Sequence, residues 1–243
     1  MGIEDLKVLA VIPARGGSKG LPGKNLKLLN GKPLIYYMIN AALNCNKLDK
    51  VVCSTDDKQI AEVARECGAE VPFLRPAEFA TDSSPLNPVM KHVMNYYDEN
   101  NWRSDVVVSL QPTNPLITPD IIDTAVSVYM ETNCDSVASV TIISHGHPYR
   151  AKKLLDNKRL IDFCPEFNGD RVINRQDRPP AYAYNGAIYL RTRELLENWT
   201  GKDTGLGSDC RSVVVEPEKS VNIDTEFDFK LAELIMKDRE NKL

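Results

Sequence analysis

The segment VIPARGGSKGLPGKNL, residues 11–26, combines the two residue types that hold phosphate groups in proteins. It has four glycines, whose backbone N–H groups approach an anion closely, and three cations, Arg15, Lys19 and Lys24. A guanidinium forks onto phosphate oxygens, whereas an ammonium acts as a point charge. The segment directly follows an apolar run, and ligands of parallel α/β sheets bind beyond the carboxyl ends of the strands. We therefore predict a phosphate-binding loop.

This loop fits neither of the two commonest phosphate-binding motifs. A Walker A loop requires G-x-x-x-x-G-K-[ST], but Ser18 stands five residues before Gly23, and Asn25 follows Lys24. A dinucleotide fingerprint requires G-x-G-x-x-G, which GGSKGLPG does not supply. The spacing therefore favours neither a P-loop ATPase nor a dehydrogenase.

Apolar runs alternate with helical patterns through most of the chain, which predicts an α/β fold with a mostly parallel sheet and helices on both faces. The expected strands are residues 6–13, 50–55, 70–75, 105–112 and 136–143, with YNGAIYL and SVVVE later in the chain. The expected helices are residues 32–45, 57–68, 84–99, 118–132 and 225–240. In the last of these, Thr225 and Asp228 have capping-box spacing.

Residues 145–182 interrupt this alternation. The segment is polar, contains the turn signals DNK and NGD, and has no long helical pattern. It is typical of an inserted β-ribbon or arm, so we predict a single domain over residues 1–243 with this arm inside it.

Composition excludes several classes of protein. The formal net charge of −4 over 243 residues argues against general nucleic-acid binding. No run approaches the ~18 apolar residues of a membrane span, and MGIEDLKVLAV has no basic region typical of a secretory signal. The six cysteines lack CxxC spacing and are typical of reduced thiols. We expect a cytoplasmic protein with neither nucleic-acid nor membrane partners.

The loop ARGGSKGLPGKNL, followed by NGKPLI, resembles the sugar nucleotidyltransferases and, among them, the acylneuraminate cytidylyltransferases. Further resembling stretches follow in order: STDD (54–57), LRPAEFATDSSP (74–85), SLQPTNPL (109–116), RQDRPPAYAYNGAIY (175–189) and NIDTEFD (222–228). The resemblance implies a Rossmann-like, three-layer fold and a homodimer in which residues 145–182 are the dimerisation arm. It also implies transfer of CMP from CTP to the anomeric hydroxyl of a nonulosonic acid, a nine-carbon 2-keto sugar acid, with release of pyrophosphate.

The resemblance further implies roles for individual residues. The residues expected to hold the triphosphate are Arg15, Gly16, Gly17, Ser18, Lys19, Lys24 and Asn25. Arg75 is expected to face the nucleotide, and the stretch TDSSP, which contains Ser84, is expected to read the cytosine ring. The residues expected to contact the sugar are Gln111, Arg150, Arg175 and Asn185. The expected catalytic residues are Arg15, Lys24 and Asp224.

A metal site is implied by the same resemblance, with one departure. The family has the sequence DID before the last helix, whereas this chain has Asn222, Ile223 and Asp224. Asp224 keeps a carboxylate for Mg²⁺, or for Mn²⁺ in its place, and Asn222 offers an uncharged amide oxygen. No side-chain general base is evident.

A second departure concerns the sugar. Many sialic-acid-activating members have an arginine two residues before the asparagine of NGAIY, where this chain has Ala183. Alanine favours a sugar that is less polar at that point, such as a legionaminic-acid type, over N-acetylneuraminic acid. Two alternatives stay open: a CMP-Kdo synthetase, and a catalytically weak nucleotide-binding protein marked by Asn222.

Overall fold

A central six-stranded sheet organises the structure, a computed structural model that describes residues 6–17, 20–81, 84–165 and 174–240. The strands are β1 (Val8–Pro13), β2 (Leu28–Leu29), β3 (Lys32–Pro33), β4 (Lys50–Ser54), β5 (Val106–Leu110), β6 (Ser136–Ile142), β7 (Lys152–Leu154), β8 (Leu160–Asp162), β9 (Tyr182–Thr192) and β10 (Cys210–Val214). The α-helices are α1 (Leu34–Leu43), α2 (Lys58–Glu66), α3 (Leu86–Glu99), α4 (Pro119–Thr132), α5 (Arg193–Glu197) and α6 (Glu226–Glu240).

The strand order in the central sheet is β10-β6-β9-β5-β1-β4. β1 pairs in parallel with β4 and β5, and β6 pairs in parallel with β10. β9 runs antiparallel between β5 and β6. The prediction of a mostly parallel sheet is confirmed, and β9 is its antiparallel member.

One predicted strand is wrong. Residues 70–75 form no strand and contribute only a bridge between Glu70 and Val52 of β4. Pro72 lacks the N–H that a ladder requires at that position, so pairing stops after the bridge.

Helices cover both faces of the sheet because its central strands are apolar on both sides. In β1, Leu9 and Val11 pack in a core with residues of α3 and α5. Ala10 and Ile12, on the other side, pack with residues of α1, α2 and α4. This alternation gives three layers, helices–sheet–helices, as predicted.

The chain changes direction across the sheet at β1. β1 leads through α1 to β4 on one side of it. β5 lies on the other side of β1 and leads through α4 to β6, further from β1, so the strand order reverses between β1 and β5. A crevice opens at such a switch point, beyond the carboxyl ends of the strands. A third core, formed by Leu21, Leu29, Leu116, Ile223 and Phe229, fixes these loops against α6.

The described part of the arm contains the hairpin β7–β8, with Lys158 in the left-handed conformation at its turn (φ 64°). The DNK turn is thereby confirmed, and the predicted NGD turn at 168–170 lies outside the described residues. Among the helices in the described ranges, none has both the length and the apolar character that crossing a membrane would require.

Candidate active site

A cleft of about 550 Å³ opens at the carboxyl ends of β1 and β5. Its lining includes eight of the residues predicted for the site: Arg15, Lys24, Asn25, Arg75, Ser84, Gln111, Asn222 and Asp224. These residues come from four separate stretches of the chain, which the fold brings to one place. Ser18 and Lys19 lie outside the described residues, and Gly16 and Gly17 do not line the cleft.

The glycine-rich loop is held in place by residues that directly follow β4. The Gly16 N–H donates to Asp56 Oδ1 at 3.0 Å. A Cβ at position 16 would lie 2.8 Å from Asp57 Oδ2, so any larger residue there would have to displace the Asp57 side chain. Asp57 itself caps α2 by accepting hydrogen bonds from the first turn of that helix. Asn25 is buried and donates to the Arg15 carbonyl at 3.1 Å, which closes the loop on itself.

Lys24 and Asp224 form an ion pair in the cleft. Lys24 Nζ donates to Asp224 Oδ1 and to the Ile223 carbonyl, both at 3.0 Å. Asp224 Oδ2 accepts a hydrogen bond from Asn222 Nδ2 at 2.7 Å. A Cβ at Gly20 would lie 2.4 Å from the Asp224 carbonyl, so the loop contacts this segment directly. The predicted phosphate-binding and metal-binding groups therefore share one network.

The segment carrying Asp224 is held by two further elements. The Ile223 N–H donates to the Thr113 carbonyl at 2.8 Å, which joins it to the loop after β5. Asp228 Oδ2 accepts from the N–H groups of Asp224 and Thr225 and from the Thr225 hydroxyl. The predicted capping role of Asp228 is confirmed. Although burial opposes it, these hydrogen bonds hold the pKa of Asp228 below its usual value.

Arg75 is buried, with 6% of its surface exposed, although it lines the cleft. Its guanidinium donates to the Ser54 carbonyl and, from Nε, to the Ser54 hydroxyl at 3.1 Å. Burial lowers the pKa of Arg75. Nearby, Ser84 Oγ donates to the Glu78 carbonyl at 3.0 Å. Arg75 is thus an internal charge at the end of β4, not a solvated one.

The opposite wall of the cleft is formed by β5 and β9. Gln111 follows β5, and its backbone N–H donates to the Ala187 carbonyl at 2.9 Å. Gly186 and Tyr189 of β9 also line the cleft. Gly186 has φ 78°, where the pairing of β9 with β6 shifts register. Burial raises the pKa of the Tyr189 phenol, so it stays protonated at neutral pH.

Asn185, predicted to contact the sugar, does not itself line the cleft, although its neighbour Gly186 does. Only 9% of its surface is exposed, and its side chain bonds Ser139, Ser220 and the Ala187 N–H. Its side chain points into the domain, where both the oxygen and the nitrogen of the amide form hydrogen bonds with neighbouring elements. In this chain Asn185 fixes the bulge beside Gly186.

Of the two predicted arginines of the arm, Arg150 lies apart from the cleft in a single chain. Arg150 is exposed at the end of a short 3₁₀ turn, Pro148–Arg150, and is not among the lining residues. The side chain of Arg175 lies outside what the structure describes. The predicted contact of Arg150 with the sugar is therefore not made within one chain, and that of Arg175 stays a prediction.

The few oxygen ligands near Asp224 fit a metal ion that is also bound by groups outside this chain, such as substrate phosphates. Asp224 is a hard carboxylate with 63% of its side chain exposed, and Asn222 adds an amide oxygen. In the described ranges, no three histidine, cysteine or acidic side chains converge as an all-protein cage would require. Mg²⁺ commonly uses one or two carboxylates together with substrate phosphates, so this sparse set fits it.

Sequence reasoning missed several residues of the cleft. Phe79, Leu86 and Val89 add an apolar side, and Tyr189 adds an aromatic one. Strand alternation carried no signal for Tyr189, because β9 shifts register just before it and Ala187 packs in one core with both Ile188 and Leu190. The apolar side of the cleft also lacked a local signal in the sequence, because the position of α3 beside the cleft depends on the packing of the whole domain.

Comparison with known proteins agrees with this geometry. Residues 9–188 match the sequence profile of the family described as cytidylyltransferase. The chain is 38% identical over 241 residues to the CMP-N,N'-diacetyllegionaminic acid synthase of Legionella pneumophila, covering 95% of this chain and 97% of the relative. It is 34% identical over 233 residues to the pseudaminic acid cytidylyltransferase of Campylobacter jejuni, covering 96% and 97%.

An N-acylneuraminate cytidylyltransferase of Streptococcus agalactiae is 32% identical over 226 residues. That match covers 92% of this chain and 52% of the relative, so this chain spans about half of that protein.

Two solved structures share the fold. CMP:2-keto-3-deoxy-manno-octonic acid synthetase, complexed with CTP, superposes with a TM-score of 0.70 at 20% identity, covering 96% of this chain and 99% of the other. A 4-diphosphocytidyl-2C-methyl-D-erythritol synthase from Anaerococcus prevotii gives 0.67 at 12% identity, covering 97% and 98%. Both confirm the predicted Rossmann-like α/β fold. With the family match over residues 9–188 and relatives of 32–38% identity, the chain belongs to the cytidylyltransferase family.

Proposed function

We propose that this chain transfers CMP from CTP to the anomeric hydroxyl of a nonulosonic acid and releases pyrophosphate. The observation that carries the proposal is the pairing of Lys24 with Asp224 at 3.0 Å inside the cleft beyond β1. A phosphate-binding cation and a carboxylate suited to Mg²⁺ are thereby placed together at the mouth of a glycine-rich loop. The names of the relatives, which make CMP derivatives of sugar acids, support the choice of substrates.

In the proposed reaction the acceptor hydroxyl oxygen forms a bond to the α-phosphorus, and the bond from that phosphorus to the β-phosphate oxygen breaks. Pyrophosphate takes the electron pair, and the hydroxyl proton is released. Such transfers depend on positioning and on neutralising charge. Arg15 and Lys24 would neutralise the triphosphate, while Gln111 and Tyr189 would orient the acceptor on the opposite wall.

We propose Mg²⁺ as the cofactor, replaceable by Mn²⁺, with Asp224 and Asn222 as its protein ligands. When bound, the ion would neutralise phosphate oxygens and favour the departure of pyrophosphate. The chain's own contribution is to hold the Asp224 carboxylate beside Lys24.

The direct test is pyrophosphate release with each of the four nucleoside triphosphates and a panel of sugar acids. The panel contains N-acetylneuraminic, legionaminic and pseudaminic acids and the eight-carbon acid Kdo. We expect turnover with CTP and a nine-carbon acid, dependent on added Mg²⁺. Turnover with Kdo alone would identify the alternative synthetase. CTP binding without turnover would identify a nucleotide-binding protein. Equal rates with UTP, or full activity in excess EDTA, would reject the proposal.

We expect Asn222→Asp to tighten Mg²⁺ binding by about tenfold, because it adds a charged hard ligand. Without the ion, the new carboxylate would face Asp224 in place of the amide that now donates to it at 2.7 Å. Like charges at that separation repel, so thermal stability should depend more on Mg²⁺ than in the wild type. Titration of activity and of melting temperature with Mg²⁺ measures both effects. Identical titrations would place Asn222 outside the metal shell.

We also propose a homodimer formed through the arm. Leu154 and Phe163 on the described part of the arm each have 67% of their surface exposed, and Leu160 has 61%. Burying such side chains on a second chain would stabilise a two-fold dimer and could bring Arg150 or Arg175 to the neighbour's cleft. Light scattering at micromolar concentration should give a dimer, and the double substitution Leu154→Ser, Phe163→Ser should give a monomer with reduced activity. A fully active monomeric wild type would contradict this.

Among nine-carbon acids we expect a preference for the legionaminic type over N-acetylneuraminic acid. Ala183 is exposed on β9 opposite Thr141, so it offers no charge to a polar sugar substituent. One missing polar contact changes binding by ~1–3 kcal/mol, which predicts a preference of roughly 5- to 140-fold in kcat/KM. Arg150 is left to bind the carboxylate, so both sugars should react. A clear preference for N-acetylneuraminic acid would show that Ala183 has no such role.

We further propose a cytoplasmic location. Its support is that all six cysteines are unpaired, as expected for a reducing compartment.

A further inference from the structure

Arg191 is a buried cation beside the cleft. It lies near the end of β9 with only 5% of its surface exposed. Its Nε donates to the Gly205 carbonyl at 2.7 Å, and one terminal nitrogen donates to the Thr204 carbonyl at 3.4 Å. The other terminal nitrogen, Nη1, is buried without a partner. In the described ranges no carboxylate pairs with this guanidinium.

Such an arrangement is costly for folding. A buried charge is normally paired with an opposite charge, because burial removes its hydration. Burial lowers the pKa of Arg191 to about 10, and it is still charged at neutral pH. Arg193, two residues further on, is a buried arginine whose charge is paired. It is 7% exposed and donates to both carboxylate oxygens of Asp98 at 2.7 and 2.8 Å.

The unpaired charge lies directly behind the wall of the cleft. The Arg191 guanidinium carbon is 5.1 Å from the centroid of the Tyr189 ring, and Tyr189 lines the cleft. The ring therefore separates a buried positive charge from the space opposite the phosphate loop. Because the guanidinium is buried, its charge is screened less than that of a surface cation.

Arg191 also holds a second element of the cleft in place. Gly205, whose carbonyl it binds, packs so closely on α3 that a Cβ there would lie 2.1 Å from Asn87 Nδ2. Asn87 lies in the first turn of α3, between Leu86 and Val89, which both line the cleft. The loop at residues 204–205 is thus fixed between the guanidinium and the helix that forms the apolar side of the cleft.

We propose that Arg191 is a positioning and specificity-determining residue for the acceptor. Its uncompensated charge acts through Tyr189 to favour an anionic sugar, and its hydrogen bonds hold residues 204–205 against α3. This inference rests on the proposed function, because it assigns the acidic sugar to the wall of the cleft formed by β5 and β9. It predicts that replacing Arg191 changes KM for the sugar far more than KM for CTP.

The test compares three variants with the wild type: Arg191→Gln, Arg191→Lys and, as a matched control, Arg193→Gln. For Arg191→Gln we expect KM for the sugar acid to rise by about tenfold, while KM for CTP stays within about twofold. Arg191→Lys keeps the charge and should recover most of the loss. Arg193→Gln removes a buried arginine that is paired, so it should lower the melting temperature and leave both KM values near those of the wild type.

Three results would overturn the role of Arg191. They are a sugar KM unchanged in Arg191→Gln, equal rises in both KM values, and no recovery in a folded Arg191→Lys variant. The proposed function fails separately, when the wild type makes no CMP-sugar from any acid. In that case, calorimetric dissociation constants of the sugar acid for the same variants decide whether Arg191 favours an anion.

Discussion

Asp224→Asn is expected to lower kcat by at least about a hundredfold at saturating CTP. Residues that only support a metal ligand already change metal affinity or activity by ~10–100-fold, and a direct ligand should cost more. The substitution keeps the size of the side chain and an oxygen, so the Lys24 contact at 3.0 Å can persist in a weaker form. Excess Mn²⁺, which binds such ligands more tightly than Mg²⁺, should restore part of the activity.

The control for this prediction is Glu226→Gln. It removes the same unit of charge two residues away, from a carboxylate that is paired with Lys27 at 2.6 Å and does not line the cleft. Exposed ion pairs contribute ~0–1 kcal/mol to stability, so this variant should keep its activity. Equal losses in the two variants would indicate a general effect of charge, and wild-type kcat in Asp224→Asn would remove Asp224 from the metal site.

Lys24→Ala should lower kcat/KM for CTP by about tenfold to a hundredfold, because a charge-assisted contact to phosphate is worth roughly 1.5–3 kcal/mol. The fold should survive, since the Lys24 side chain bonds only to the Ile223 carbonyl and the Asp224 carboxylate among the described residues, and its backbone bonds remain in the variant. Arg15→Ala should show a loss of similar size. Steady-state kinetics at saturating sugar, together with circular dichroism, separate a loss of function from unfolding.

Lys27→Ala provides the matched control for Lys24→Ala. Lys27 lies three residues further on, pairs with Glu226 and stands 4.7 Å from the centroid of the Phe229 ring, outside the cleft. Its removal should change stability slightly and CTP kinetics little. A Lys24→Ala enzyme with the turnover and CTP affinity of wild type would remove Lys24 from the phosphate site.

The residues that sequence placed well are those with local signals. Arg15 and Lys24 stand in a glycine-rich loop directly after a strand, and Asp224 stands directly before a capped helix. For Arg15 and Lys24 that context indicates the carboxyl end of a strand, where ligands of parallel sheets bind. Asp224 was expected in the same site from the family resemblance, and all three residues line one cleft.

The positions of other residues depend on packing between distant parts of the chain. Asn185 was expected at the sugar, but its amide is taken by Ser139 and Ser220, 46 and 35 residues away in the chain. Tyr189 and Arg191 owe their positions to the antiparallel insertion of β9 between β5 and β6. Hydrophobic periodicity carries no information on which strands become neighbours, so this wall of the cleft appears only in the folded chain.

Transfer of the CMP group to the sugar's own oxygen is tested most directly with oxygen-18. The sugar acid is labelled at its anomeric hydroxyl and incubated with the wild-type protein, CTP and Mg²⁺, and the products are followed by phosphorus NMR. The account predicts that the label bridges the phosphorus of CMP and the sugar, seen as an isotope shift of that single signal, while pyrophosphate stays unlabelled. No labelled CMP-sugar, or label in pyrophosphate, would contradict it.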